Sequence, residues 1–100
     1  MKEIKHLAEE IGEELNDAEK YAREAARLSD SCPADAAVYA DLSRQELGHA
    51  DKLHEMAVRR IEKKRESGAE VPPGMQAIWD WEHEKMLDRT AHVKSLLSMM

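Results

Sequence analysis

An all-α fold, made of a long antiparallel helical hairpin and a third helix, is what three features of the sequence predict. Charged residues make up 36% of the 100-residue chain and aromatics only 4%, with no Phe, and the remainder is rich in the helix formers Ala, Leu and Met. Helix-breaking residues gather at two places, Ser29-Asp30-Ser31-Cys32-Pro33 and Ser67-Gly68-Ala69-Glu70-Val71-Pro72-Pro73-Gly74. Between the breaks apolar residues recur at helical period, with no strand alternation, internal repeat or low-complexity tract. A chain of this length forms one domain, residues 1–100.

The first helix is expected over about residues 2–28. Ile4, Leu7, Ala8, Ile11, Leu15, Ala18, Ala22 and Ala25 share one face. The second runs over about 33–66. Pro33 suits its first turn, Ser31 or Cys32 its N-cap, and Gly68 its C-terminal cap. Its stripe is assigned to Val38, Leu42, His49, Leu53, Met56 and Ala57. The third spans about 73–98 and opens at Pro73. It carries Met75, Ile78, Trp79, Met86, Val93, Leu97 and Met100, with Trp79 and Trp81 as packing anchors. The short first connection makes helices one and two an antiparallel pair. Three thin amphipathic helices bury a modest core, roughly 65% of the unfolded surface for a chain this size, so self-association is expected.

The net charge of −6 leaves no basic stripe to neutralise phosphates, which argues against nucleic acid as a partner. No apolar run approaches the ~20 residues needed to cross a membrane. The segment MKEIKHLAEE is charged and already amphipathic, unlike a signal peptide, and a cytoplasmic protein is expected. Cys32, the lone cysteine, reads as a bystander thiol in a loop.

Polar residues interrupt the apolar stripes at one level. Glu46 and His49 fall among Leu42, Leu53 and Met56, spaced i, i+3 on one face. Glu14 flanks the first stripe beside Ile11 and Ala18, with Tyr21 two turns further on. A turn centred near residue 31 pairs positions whose numbers sum to about 62, which sets Glu14 opposite residue 48. Two carboxylates and an imidazole in an apolar seam need a partner. No Lys or Arg lies on the same central stripe at that level; Arg60 is on the helix-two stripe but about three turns away. A divalent cation satisfies all three, and carboxylates with one imidazole suit iron or manganese. The competing reading has Glu46 and His49 bonded to each other or to water at a solvated edge.

The pattern Glu14-Leu-Asn-Asp-Ala-Glu-Lys-Tyr21 followed by Glu46-Leu-Gly-His49 resembles the ferritin-like superfamily of di-iron carboxylate proteins, over about residues 4–62. It is most similar to the short encapsulated-ferritin type, whose chains carry one such half. The resemblance implies a half-bundle completed to a four-helix bundle by a homodimer or a multiple of dimers. Glu14, Glu46 and His49 of each chain would then hold two iron ions per dimer, with manganese as the alternative metal. It implies oxidation of Fe(II) by O2 or peroxide, with no catalytic residue beyond the ligands and with Tyr21 and Tyr39 orienting a carboxylate. An encapsulin shell is a conceivable partner, although no targeting tail is recognised in Ser95-Leu-Leu-Ser-Met-Met100. Glu82, with Asp80, His83 and Glu84 nearby, falls about ten residues, or ~15 Å, from the site level; an interface role or one supporting the ligands is expected, and only an oblique crossing would make it a ligand. His6, His54, His83 and His92 read as surface or rim residues. The alternative function is a metal-free helical self-association or partner-binding module.

Overall fold

The computed structural model describes residues 2–68 and 70–99. It contains α1 (Lys2–Leu28), α2 (Pro33–Glu66) and α3 (Pro73–Ser98), with no strand among the described residues. These bounds coincide with the three expected helices. Ala69, in the second break, and Met100, placed on the third stripe, lie outside the described residues. Among the described residues no helix is long and apolar enough to cross a membrane.

Local chemistry sets the ends. Pro33 occupies the first turn of α2, where its missing N–H is not needed. Cys32 stands at the N-cap without a side-chain cap bond, so neither Ser31 nor Cys32 caps in the usual sense. At the other end Ser67 is the C-cap, and Gly68 follows at φ 82°, the left-handed geometry that glycine adopts without a Cβ clash.

Helices α1 and α2 form the antiparallel hairpin. Ala18 meets Ser43, Tyr21 meets Tyr39 and Glu14 meets His49, so paired numbers sum to between 60 and 63. The seam has two halves. Toward the turn Ala18, Ala22 and Ala25 face Ala36 and Ala40, all buried, which lets the helices approach closely. Toward the far end Ile4, Leu7, Ile11 and Leu15 pack with Leu47 and Ile61. Each large aliphatic side chain there contributes roughly 1.5–3 kcal/mol by leaving water, whereas the alanines contribute little beyond proximity.

The buried row of α2 differs from the expected one. It is Ala36, Ala40, Ser43, Leu47, Ala50, Ala57 and Ile61. The row Val38, Leu42, Glu46, His49, Leu53 and Met56 lies about 100° round the helix. Its members are half-buried or exposed, with Val38 58% exposed. Arg60, on that same flank, is exposed. Leu42, Leu53 and Met56 outrank alanine in hydrophobicity, but the α1 partner is itself small, and alanines fit the close seam.

Helix α3 packs chiefly along α1 and meets α2 through side chains near its N-terminal end, where Trp79 and His83 stack on His54 and Gln76 accepts a hydrogen bond from Arg65. It buries Trp79, Met86 and Val93, one every seven residues. Arg89 reaches Asn16 and the Gly12 carbonyl, and His92 reaches Glu19 and Arg23. Ile78 is exposed, and Trp81, at 57% exposure, is not a packing anchor; Lys85 covers its ring instead, 3.8 Å from the centroid. The α1 residues that receive α3 lie on the side of α1 opposite Glu14. The described residues measure 57 × 17 × 17 Å, and among them no helix lies over the Glu14 face of the hairpin.

Candidate metal centre

Glu14, on α1, is held at its level by Ile11 and Leu15, which are buried on either side of it. Glu46 and His49 project from α2 one turn apart, flanking the buried Leu47 and Ala50. His49 Nδ1 lies 3.5 Å from Glu14 Oε2 and 3.6 Å from Glu46 Oε2. One donor atom from each of the three residues lies within 4.8 Å of the others. All three predicted ligands are therefore brought together.

Their setting is shallower than the expected core position. The Glu46 side chain is 19% exposed, Glu14 29% and His49 53%. The cluster forms the floor of the hairpin's open face.

The electrostatics are those of two acids pressed together. The Glu14 carboxyl is pushed above its ordinary value, first by a hydrogen bond with Glu46, then by burial and by the Glu46 charge, while His49 acts in the opposite direction. Among the described residues no Lys or Arg comes within ion-pair distance of Glu14 or Glu46. Two hard oxygen donors and one imidazole are a donor set that suits iron or manganese. Three protein ligands leave coordination positions open toward the uncovered face.

The tyrosines do not orient the carboxylates. Tyr21 and Tyr39 stack on each other, ring centroids 6.1 Å apart, and neither hydroxyl bonds to Glu14 or Glu46 among the described residues. Glu82 pairs with Lys85 at 3.5 Å and stands outside the cluster. His6 pairs with Glu10 and His92 with Glu19, both as exposed surface contacts.

His54 is not a surface residue. It is half-buried and stacks on Trp79 and His83, with centroids at 5.6 and 4.6 Å. Its Nε2 is buried without a hydrogen-bond partner. Burial, then the neighbouring His83, hold its pKa below the ordinary histidine value. The sequence carried a signal for this: His54 stands midway between Leu47 and Ile61 at heptad spacing, on the row that is buried.

Comparison with protein-family models, with curated proteins and with solved structures finds no significant match. The functional reading rests on the three side chains and their surroundings.

Proposed function

We propose that the chain binds Fe(II) through Glu14, Glu46 and His49, in a di-iron site completed by a second copy, and oxidises it with O2 or peroxide. The single observation carrying this reading is the convergence of three donors from two helices on an uncovered face, with no cationic side chain to neutralise them. A second copy related by a two-fold axis would lay its own hairpin on that face. Its row of Leu42, Leu53 and Met56 would be covered, and the ligand set would double to the two single Glu residues and two Glu-x-x-His pairs of a bundle site. Bound there, a pair of iron ions would supply two electrons to the oxidant. The protein's part would be to hold the ions, with Glu14 and Glu46 as carboxylate ligands and His49 as the imidazole ligand.

One observation favours the metal-free alternative. His49 lies between the two carboxylates, and a protonated imidazole would partly neutralise them without metal. Self-association through the open face would then be the whole function. Anaerobic titration of the untagged, chelator-stripped protein with Fe(II), followed by air, separates the two. One Fe(II) per chain and an absorbance change on oxidation support the first; no binding leaves the second.

A further inference from the structure

The opposite side of the hairpin carries a second feature, independent of the metal reading. Between α1 and α3 runs a cavity of about 520 Å³, within the range of small-molecule sites. Along α1 it extends from Lys5 to Leu15, ten residues or ~15 Å. Ile11, Leu15, Ile78, Trp79 and Met86 form apolar walls. Gly12 opens it: a Cβ built there meets nothing within 4 Å.

The charges around this slot do not cancel. Lys5 is balanced in number by Glu9 four residues on, and Lys85 pairs with Glu82. Arg89 is left over. Its guanidinium bonds only neutral groups, the Asn16 side chain and the Gly12 carbonyl, and no carboxylate reaches it among the described residues. His54, at the stacked wall with Trp79, adds an unpartnered Nε2. The slot is thus long, apolar and closed by one uncompensated cation, in a chain whose net charge is −6.

We propose that this slot binds a linear amphipathic carboxylate of the acyl-chain type, its chain along Ile11, Leu15, Trp79 and Met86 and its head on Arg89. A guanidinium offers two parallel N–H donors to a carboxylate, which a cationic or uncharged head cannot use. The chain displaces water from the apolar walls.

The test uses the full chain with Trp81→Phe, leaving Trp79 in the wall as the only tryptophan. Dodecanoate, below its micelle concentration, is titrated against Trp79 emission and by calorimetry, beside dodecyltrimethylammonium with the same chain and the opposite charge. Dodecanoate should bind roughly tenfold or more tighter than the cation. Arg89→Gln should remove that preference while retaining chain binding. Gly12→Leu should fill the slot and abolish binding of both, with helicity and melting temperature no lower than those of the parent. Equal binding of the two amphiphiles, dodecanoate binding unaffected by both substitutions, or no binding of dodecanoate would overturn the proposal.

Discussion

The Ser43 hydroxyl donates a hydrogen bond to the Ala18 carbonyl oxygen across the α1–α2 seam at 2.6 Å. Ser43 is fully buried amid alanines, the one polar residue in the core among the described residues. This bond lies about one turn from Glu14 and Glu46, and it holds the register at which the carboxylates meet.

Removing that bond tests its reach. Ser43→Ala should cost about 0.5–1.5 kcal/mol in urea unfolding, the usual worth of one hydrogen bond. Ser43→Val should cost ~1–3 kcal/mol, because a branched side chain overpacks an alanine seam. The valine variant should also weaken metal binding by spreading Glu14 from Glu46. Wild-type stability and wild-type metal response in Ser43→Val would show that the seam does not set the site.

Metal should stabilise the fold by mass action, by about 2.7 kcal/mol at a hundredfold excess over Kd. Thermal melts with Fe(II) under nitrogen, Mn(II) and Co(II) measure this. His49→Leu should leave apo stability within about 0.5 kcal/mol, since His49 is exposed. Glu46→Gln should leave it unchanged or raise it, by relieving the crowding against Glu14. Each should erase most of the metal-induced shift. Absence of any shift in the wild-type protein sinks the metal proposal.

Light scattering should give a dimer or a multiple of it. Leu53→Glu, on the uncovered α2 row beside His49, should shift the protein toward monomer without loss of helicity. A Leu53→Glu protein that keeps the wild-type assembly would place the interface elsewhere.

Glu82→Ala should leave metal stoichiometry intact, because Glu82 pairs with Lys85 away from the cluster. Inductively coupled plasma analysis of the loaded variant decides it. A dimer that has lost its metal would place Glu82 among the ligands.

In chelator, two groups tilt the pH dependence in opposite senses. His54 has a folded pKa below its ordinary 6.5, so the native state holds fewer protons there. Its contribution is present above pH 6.5 and is lost as pH falls through the lowered folded value. Glu14 has a folded pKa above its ordinary 4.5, so its contribution is lost as pH rises from 4.5 through the raised value. His54→Phe, which keeps a ring against Trp79, should flatten the loss of stability below pH 6.5. An unchanged profile in that variant would show that His54 does not couple to folding.

The three helices, their bounds and the hairpin register were legible in the sequence. Pro33, Gly68 and Pro73 punctuate the chain locally, and a short turn leaves little freedom in pairing Glu14 with Glu46 and His49. Which face of α2 would be buried was not legible. Hydropathy favours the row of Leu42, Leu53 and Met56, yet close approach of two helices selects the small row of Ala36, Ala40, Ser43 and Ala50, and that choice is made by fit to α1. The same choice rotated Glu46 and His49 out to an open flank, so the site became a surface floor and not a core cluster. The side on which α3 docks was also decided by packing. Arg89 and His92 find partners on the side of α1 opposite Glu14, leaving the carboxylates uncovered, stranding His54 Nε2 and opening the slot above Gly12. Those outcomes depend on residues from three helices meeting at once, which no periodicity within one helix encodes.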